Sequence, residues 1–507
     1  MPAKEKNRFS QILEHVMNLA EIKNAALAKA LQYDVSYISK WISGRMLPAE
    51  KTKRNVLQRI SCEIVRLSSK TGKENLFANY QVENENELQE AIFDNLEAEY
   101  DYVQDMQKQY GSSVAPKTSF FVELSPAQYI SRMHHPVLRR VSRLHIMAEM
   151  DLLSLTHEYR LQIIQGNIGT EKHRFYPDVH FSLMIDLSLN KIDNIYDPIF
   201  LINMMKEEAG IDFHLYRGEQ AAGRMIFTVK DDFMMSGMLM DPNRCMSVTV
   251  SSEADHCNPL YYSIRDLCTR ENLLYHNATM AELLDGNEYV RSILSLNQRW
   301  IIGHMTEHFL PEDLFEELLA QVRTNDALDQ EKLRYVHMLT RKAMEETEIE
   351  IIFQGIAFSN LALESDIDFF DQKIHLTLQQ RERYIRHILE MCTTRKNLHF
   401  RLLYESPISD FRYDVAQSIF LSDGIAYLRL NTEHGRNNLA VLNHPDMKMV
   451  FEQFFDTLWD EKNGMILSDQ EEICSYIREM IHRIGIIASV REHTTLSSSE
   501  QWTEMAD

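Results

Sequence analysis

The segment from residue 24 to residue 45 constrains the fold of this 507-residue chain more than any other, because its residue sizes suit two short helices that cross closely. Leu27, Ala28 and Leu31 lie on one face of the first helix. Ala28 is small enough for the second helix to pass nearby, as two helices joined by a three-residue turn require. The segment therefore predicts a pair of packed helices.

The second helix of this pair has its own buried side and its own end signals. Ile38 and Trp41, three residues apart, form an apolar stripe. Asp34 stands where a side chain accepts hydrogen bonds from the free backbone amides of a helix start. Gly44 suits the left-handed position after a helix, and Pro48 prevents continuation. These residues predict a short helix with defined ends.

This pattern resembles the helix-turn-helix of phage repressor and Cro-type proteins, the Xre-like family, over roughly residues 8–67. The residues that carry the resemblance are Leu27-Ala28, Ile38, Trp41, Ser43-Gly44-Arg45 and Pro48. The resemblance implies an all-α DNA-binding domain over residues 1–70. Gln32 departs from the family pattern, since it occupies the usual glycine position of the turn, where a side chain costs about 1 kcal/mol. An ordinary helical hairpin is the alternative.

Charge separates the beginning of the chain from the rest. Residues 1–70 contain thirteen Lys and Arg against six Asp and Glu, a net charge of +7. Because the whole chain carries −22, residues 71–507 carry −29. Clustered positive charge binds DNA phosphates by counterion release, and a strongly acidic body repels them. We therefore expect double-stranded DNA to bind at the N-terminal end and the body to serve another role.

The resemblance also implies which residues contact DNA. Val35, Ser36 and Lys40 take the base-reading positions, and Tyr37 lies beside them. Asn24 takes the position at the head of the first helix that contacts backbone or neighbouring bases. A lysine can donate to guanine, a serine can donate or accept, and a valine can pack on a thymine methyl group. The basic residues that follow are expected to contact phosphates, which position the protein without specifying sequence; they are Arg45, Lys51, Lys53 and Arg54. For each cation, a solvated surface position is the alternative.

Composition indicates several folded domains. A 44% hydrophobic content with 16 Gly and 12 Pro is typical of globular units. The sequence contains no apolar signal segment at its start and no run of about eighteen apolar residues, which predicts a cytoplasmic protein without membrane contact. Its six cysteines form no C-x-x-C pair, which predicts reduced thiols.

Residues 83–105 contain nine acidic residues and no Lys or Arg, yet apolar residues recur there at helical spacing. The apolar residues are Leu88, Ile92, Leu96, Val103 and Met106. This pattern predicts an acidic helical connector within residues 71–117 that lies on the body, with a helix that pairs two protomers as the alternative. Residues 111–117 are predicted to form a linker.

Beyond residue 175 the same order of strands and helices is predicted twice. The two copies span residues 176–285 and 346–465. In each, 46 residues separate a strand residue from the proline of the closing helix, and these pairs are Phe213 with Pro259 and His399 with Pro445. Equal spacing favours internal duplication in an α/β body, with chance similarity as the alternative.

Helices are predicted over residues 118–175, over a bridge at residues 286–345, and in a C-terminal helix and tail at residues 466–507. The predicted fold class is therefore multidomain. An all-α N-terminal helix-turn-helix domain precedes a helical connector and an α/β (α+β) body with internal duplication.

The end of the second copy resembles half of a phospholipase-D-type protein. The residues concerned are Asp423-Gly-Ile-Ala-Tyr-Leu-Arg-Leu and, in a helix begun by proline, Phe451, Phe454, Phe455 and Trp459. Catalysis in that superfamily needs a His-x-Lys pair in each half. This chain contains no His-x-Lys, so the resemblance implies the fold without that chemistry.

Three further groups of residues have side chains that could bind a ligand or a metal. His304 and His308 suit one helical face, but surface or capping histidines are favoured. A methionine group suits either a pliable pocket or, as favoured, a sheet core; it comprises Met234, Met235, Met238, Met240 and Met246. An acidic stretch is favoured as a solvated loop over a cation site; it contains Glu364, Asp366 and Asp368. We predict neither a metal nor a cofactor.

The leading hypothesis is a transcription regulator that is not an enzyme. Its body would sense a small-molecule or peptide effector and form a homodimer, so that two recognition helices reach half-sites about 34 Å apart. The alternative is an enzyme or effector body that uses the N-terminal domain for targeting or autoregulation. Titratable groups that converge in a body pocket would favour an enzyme, and a merely polar pocket would favour a sensor. A protein-interaction scaffold, the third class, predicts a large exposed apolar patch.

Overall fold

The fold is that of a computed structural model that describes residues 6–503, apart from residues 81, 83, 111–116, 134–142, 166–177, 189–191, 208–210, 323–328, 409–412, 431–438 and 461–463. The chain divides into two compact units. The first contains Met1–Asp186 and Gly210–Asn272, and the second contains Leu187–Ala209 and Leu273–Asp507. Helices combined with mixed β-sheets make this a multidomain α/β protein.

Helices form the N-terminal part of the first unit. They are α1 (Arg8–Leu19), α2 (Asn24–Leu31), α3 (Val35–Ile42), α4 (Lys53–Leu67), α5 (Lys70–Tyr80) and α6 (Glu85–Tyr110). Leu27, Ala28, Leu31, Ile38 and Trp41 are all buried in one core with apolar residues of α1, α4 and α6. The predicted buried faces of the first two short helices are therefore confirmed.

The turn between α2 and α3 has the backbone geometry that the sequence predicts. Gln32 adopts the left-handed conformation with φ 62°, which a glycine would adopt without strain. The Asp34 carboxylate accepts a hydrogen bond from the Ser36 amide at 2.8 Å, and hydrogen bonds from Ser36 lower the pKa of Asp34. Gly44 follows α3 with φ 72°. These end signals are local, which is why the sequence alone predicts them.

The acidic helix α6 differs from its prediction as a connector on the body. It packs against α1, α4 and α5, and its apolar stripe lies in their core. The buried residues of this stripe include Leu88, Ile92, Leu96 and Val103. Because the apolar faces of α1 and α4 cover this stripe, α6 belongs to the N-terminal domain, which extends to about residue 110 rather than 70. Residues 111–116 of the predicted linker lie outside the described residues.

The first unit also contains a seven-stranded sheet of order β1-β7-β6-β5-β2-β3-β4. Its strands are β1 (Thr118–Leu124), β2 (Arg143–Met150), β3 (Asp178–Ile185), β4 (Asp212–Arg217), β5 (Arg224–Val229), β6 (Phe233–Asp241) and β7 (Arg244–Ser251). Strands β2, β3 and β4 are parallel, and the remaining pairings are antiparallel. The helices in this stretch are α7 (Pro126–Met133), α8 (His157–Gln165), α9 (Tyr196–Glu207), which belongs to the second unit, and α10 (Ala254–Leu267).

The second unit contains an eight-stranded sheet of order β17-β13-β10-β9-β14-β15-β16-β8 and the hairpin β11-β12. The strands are β8 (Tyr275–Ala278), β9 (Gln298–Ile302), β10 (Ile349–Gln354), β11 (Asp366–Phe369), β12 (Gln372–His375), β13 (Leu398–Leu403), β14 (Ser418–Leu421), β15 (Ala426–Arg429), β16 (Leu439–Leu442) and β17 (Ile466–Leu467). The helices are α11 (Met280–Asp285), α12 (Glu288–Ile293), α13 (Glu312–Leu319), α14 (Gln330–Glu346), α15 (Gly355–Glu364), α16 (Leu378–Thr394), α17 (Pro445–Trp459) and α18 (Gln470–Thr503).

The two sheets share one topology. Reading from β4 to β1 in the first and from β13 to β8 in the second, three parallel strands are followed by four that pair antiparallel. This order agrees with the repeat that the equal spacing predicts. Each repeat is larger than predicted, however, because residues 118–175 contain β1 and β2 and residues 286–345 contain β9. The expectation that these two segments are wholly helical is wrong.

Two smaller expectations can be compared with the structure. The six cysteines are all free. No described helix combines the length and the apolar composition that a membrane crossing requires.

Candidate nucleic-acid interface

The outward face of α3 carries the residues that were predicted to read bases. Ser36 and Lys40 are exposed, and Val35 and Tyr37 each keep 43% of their surface accessible. The Lys40 ammonium lies 5.6 Å from the centre of the Tyr37 ring. Because Ile38 and Trp41 are buried on the opposite side, α3 presents a mixed polar and apolar surface of the kind that a major groove accepts.

Contacts from α1 hold α3 in place. The Ser10 hydroxyl donates a hydrogen bond to the Trp41 carbonyl at 2.6 Å. The Asn7 side-chain amide donates to the Gly44 carbonyl at 3.4 Å, and the Tyr33 and Trp41 rings meet edge to face at 5.2 Å. The C-terminal end of α3 is therefore fixed by its neighbours, while its exposed face makes few contacts.

Asn24 is the first residue of α2 and is half-buried. Its position at the head of α2 is the predicted one. On α4, Arg59 donates a hydrogen bond to the Leu31 carbonyl at 2.8 Å and so ties the end of α2 to α4.

The predicted phosphate contacts fall into two groups. The side chains of Arg45, Lys51 and Arg54 are exposed and make no hydrogen bond or ion pair with another described residue. Lys53 is different, because its ammonium lies 2.8 Å from Asp101 and 3.2 Å from Glu97 of α6. Although partial burial lowers it, these two partners raise the pKa of Lys53. Lys53 therefore differs from the other three residues in its ion pairs with α6, and its phosphate contact stays a prediction.

The acidic residues of α6 alter the charge of the folded domain. Residues 71–110 contain ten Asp and Glu and two Lys, so the net charge of residues 1–110 is −1 rather than +7. Arg8 is buried against Glu99, with 2.5 Å between its Nη2 and Oε1 of that carboxylate. The positive charge is thus a property of individual exposed side chains and not of the whole domain.

Sequence reasoning missed Ser39 on α3, which is exposed. Together with Ser36, Lys40 and Ser43 it follows the i, i+3, i+4, i+7 spacing of one helical face. The Ser43 hydroxyl donates to the Lys40 carbonyl at 3.2 Å. The same helical period that identified the buried residues would have found this serine-rich outer face.

A second polar cluster, which we call the Arg429 cluster, lies inside the second unit. It comprises Arg429, Glu307, Asp368, Tyr289, His304 and His308. Arg429 is 1% exposed and donates to both Glu307 oxygens, at 2.5 and 3.0 Å, and to Asp368 at 3.1 Å. The Tyr289 hydroxyl lies 3.2 Å from Arg429 and 3.1 Å from His308. These bonds pair the buried charges with one another.

The two histidines of this cluster are not surface or capping residues, so that expectation is wrong. His308 is 2% exposed and stacks on Phe420 with 4.7 Å between ring centres. Burial lowers the pKa of His308 to about 4, against the opposing effect of Glu307. His304 precedes it in a loop, where its Nε2 lies 3.3 Å from Asp368. Among the residues the structure describes, no three His, Cys, Asp or Glu are grouped to hold a metal.

The acidic stretch is likewise not a solvated loop over its whole length. Asp366 and Asp368 lie in β11, and Asp368 accepts hydrogen bonds from Arg429 and the Asp371 amide. Although burial raises it, Arg429 and His304 lower the pKa of Asp368. Glu364 alone is exposed, near the end of α15.

The methionine group divides between the interior and the surface of the first sheet. Met234 and Met235 on β6 are buried, as a sheet core predicts. Met238 and Met240 on the same strand are 51% and 59% exposed, beyond an irregularity in the pairing of β6 with β7. The favoured interpretation as a sheet core therefore holds for the first half of the strand.

One arrangement near the Arg429 cluster has the residue types of a hydrolase triad. The Ser418 hydroxyl lies 3.2 Å from His304 Nδ1, and His304 Nε2 faces Asp368. Ser418 is fully buried, however, and its oxygen accepts hydrogen bonds from the Gly303 and His304 amides at 3.1 and 3.3 Å. A nucleophile must reach its substrate, so this geometry suits a structural hydrogen-bond network.

A comparison of the chain with known protein families and with curated proteins finds no match in either set. The interpretation of α3 therefore depends on its own geometry.

Proposed function

We propose that this protein is a sequence-specific DNA-binding transcription regulator whose α3 enters the major groove. The observation that carries the proposal is the exposed face of α3, where Ser36 and Lys40 lie one turn apart. Val35 and Tyr37 are exposed on the two flanks of this face, and the neighbours of α3 hold it in place. A lysine, serines and a small apolar residue suit the donors, acceptors and methyl groups of base edges.

The cations around α3 support the same proposal. Arg45, Lys51 and Arg54 follow α3 in the chain and project into solvent without protein partners in the described part. In contrast, Arg8 and Lys53 form ion pairs with acidic residues of α6. Unpaired cations beside a recognition helix are suited to phosphate contacts, which set the register of a protein on the duplex.

The body is proposed to act as a sensor and as the homodimerising part. Arg429, Glu307, Tyr289 and His308 of the Arg429 cluster are buried and hydrogen-bonded to one another, which favours a structural role over catalysis. A dimer would place two copies of α3 on half-sites about 34 Å apart, which predicts a short inverted repeat as the operator.

The test is recovery of genomic fragments by the purified full chain at roughly physiological salt, where non-specific phosphate binding is weak. The wild type should enrich a short inverted repeat. The variant with Ser36→Ala and Lys40→Ala should bind that repeat at least tenfold more weakly, since each good base contact contributes about 1–3 kcal/mol.

A matched control carries Ser263→Ala in α10 and Lys396→Ala in the turn after α16, both at exposed positions. It should bind the repeat as the wild type does. Enrichment without any shared motif, or equal loss in both variants, would contradict sequence-specific reading by α3. Binding of a single half-site by a monomer would contradict the dimer and leave the role of α3 in place.

A further inference from the structure

A cavity of about 510 Å³ lies at one edge of the second sheet. Its lining includes the residues that directly follow the parallel strands β10 and β13. It also includes the residues just before β14, a strand that pairs antiparallel with β9. Ligands of open α/β sheets bind outside the carboxyl ends of the parallel strands, where strand order changes. The volume also lies within the range of small-molecule sites, about 300–1,000 Å³.

The wall formed by residues 413–416 is held by α9. The Asp414 amide donates to Asn203 Oδ1 at 2.9 Å, and Asn203 Nδ2 donates to the Asp414 carbonyl at 2.8 Å. The Asp414 carboxylate pairs with Lys206 and accepts the Ala416 amide at 2.9 Å. Although burial raises it, Lys206 lowers the pKa of Asp414. This wall is therefore built by the fold before any ligand arrives, and the Asp414 charge is balanced.

Glu405 supplies the unbalanced charge of the cavity. It lines the cavity, is exposed, and has no hydrogen bond or ion pair to any residue that the structure describes. None of the described residues that line the cavity is Lys or Arg. A free anionic ligand would meet Glu405 without a compensating cation, whereas an ammonium group would be attracted to it.

The remaining lining residues suit an apolar body beside that ammonium. The aromatic rings are Tyr404, whose hydroxyl donates to the Gly464 carbonyl at 2.7 Å, and the buried Tyr413. Tyrosine faces attract organic cations as well as apolar groups. The apolar side chains are Ile356, Leu403, Pro407 and Val415.

We propose that this cavity binds a small amphipathic amine, with its ammonium group beside Glu405 and its apolar body against the tyrosine and aliphatic walls. The proposal that the amine binds is based on the cavity alone. The further role of such an amine as the effector of DNA binding rests on the function proposed above.

The test compares three probes of similar size that differ in head-group charge: 2-phenylethylamine, 2-phenylethanol and 3-phenylpropionate. Calorimetric titration of the full chain at neutral pH should show tightest binding for the amine and weakest for the carboxylate. Glu405→Gln should weaken amine binding about threefold to fivefold, as expected for an exposed ion pair, and leave the alcohol unchanged. Ile356→Trp, at an exposed position in the first turn of α15, should fill the cavity and abolish binding of all three probes.

Glu364→Gln is the matched control, since it removes the same charge from another exposed glutamate, the last residue of α15, which does not line the cavity. It should bind all three probes as the wild type does. Equal affinity for the three probes, no binding of the amine, or an unchanged amine affinity in Glu405→Gln would overturn the proposal. Operator binding is then measured with and without the amine. Amine binding without any operator would refute the proposed function alone, and an operator without amine binding would refute the cavity proposal alone.

Discussion

The surface around α3 and the Arg429 cluster use positive charge in opposite ways. Lys40, Arg45 and Arg54 project into solvent without ion pairs in the described part of the chain. Arg429 is buried, and both of its terminal nitrogens donate to carboxylates of Glu307 and Asp368. A buried charge needs partners inside the fold, whereas an exposed one keeps its hydrogen bonds with water until a ligand replaces them. Pairing, rather than the number of cations, therefore separates structural charge from charge that is free to bind.

Lys53 shows why this distinction has to be made residue by residue. It lies next to Arg54 in the chain, yet α6 supplies it with Asp101 and Glu97 while Arg54 remains exposed and unpaired in the described structure. The sequence treats the two neighbours alike, and the packing of α6 separates them.

The largest expected effect is on the free energy of unfolding, when the buried Arg429 loses its charge. Arg429→Met should lower the free energy of unfolding of the second unit by about 3–5 kcal/mol, because it leaves the buried Glu307 carboxylate and the half-buried Asp368 carboxylate without their cation. Chemical denaturation of the full chain measures this change.

Arg334→Met is the control, since Arg334 pairs with Glu316 on the surface at 2.8 Å. Its unfolding curve should match that of the wild type. Equal curves for the two variants would mean that the buried pairing of Arg429 stabilises nothing.

The second effect is a pH dependence of stability that comes from buried histidines. Burial lowers the pKa of both His308 and His337 from 6.5 to about 4. As the pH falls, the unfolded chain therefore takes up protons on these histidines before the folded chain does. The free energy of unfolding keeps its full value above pH 6.5 and decreases as the pH falls towards 4. The decrease is up to about 3 kcal/mol for each histidine. His337 stacks on Phe315 with 3.8 Å between ring centres, and Glu312 lies 4.0 Å from its Nε2.

His337→Phe should remove about half of this acid-induced loss, because phenylalanine fills the same space without a titrating nitrogen. Thermal unfolding between pH 7 and pH 4 gives the measurement. The exposed His482 provides the control, and His482→Phe should keep the acid loss of the wild type. A loss that is unchanged in His337→Phe would exclude His337 as a source of the pH dependence.

The smallest expected effect is a difference between Arg54 and Lys53 in the salt dependence of DNA binding. The logarithm of affinity falls with the logarithm of salt by about 0.9 for each phosphate contact. Arg54→Ala should therefore reduce that slope by about one, while Lys53→Ala should leave it unchanged because its ammonium is held by α6. Binding titrations on the operator at several salt concentrations measure both slopes. A reduction of the slope in Lys53→Ala as large as in Arg54→Ala would contradict the distinction.

The sequence predicts the strands and helices of the two sheets only where local pattern and tertiary environment agree. The buried β10 and the proline-started α17 lie where expected. Strand β2 was missed because its residues, Arg-Leu-His-Ile-Met-Ala-Glu-Met, include strong helix formers. Pairing with β3 and β5 on either side overrides that preference. Strand β8, four residues long, carries too little pattern to be assigned to the second sheet.

The candidate interface divides in the same manner. The outward position of Ser36 and Lys40 follows from helical period alone, since Ile38 and Trp41 must face the core. The ion pairing of Lys53 and the burial of His308 could not be predicted, because each depends on side chains that are far away in sequence. Glu97 and Asp101 reach Lys53 from α6, and Phe420 and Tyr289 reach His308 from two other elements.

By itself, the sequence determined the paired short helices, the left-handed Gln32 and the cap at Asp34. These features depend on hydrogen bonds and steric limits within a few residues, which local sequence specifies. Only the tertiary structure decided that α6 completes the N-terminal core, that Arg429 joins two carboxylates in the interior, and that the ends of β10 and β13 enclose a cavity beside Glu405. Burial and ion pairing depend on which distant elements meet, and no local pattern encodes that meeting.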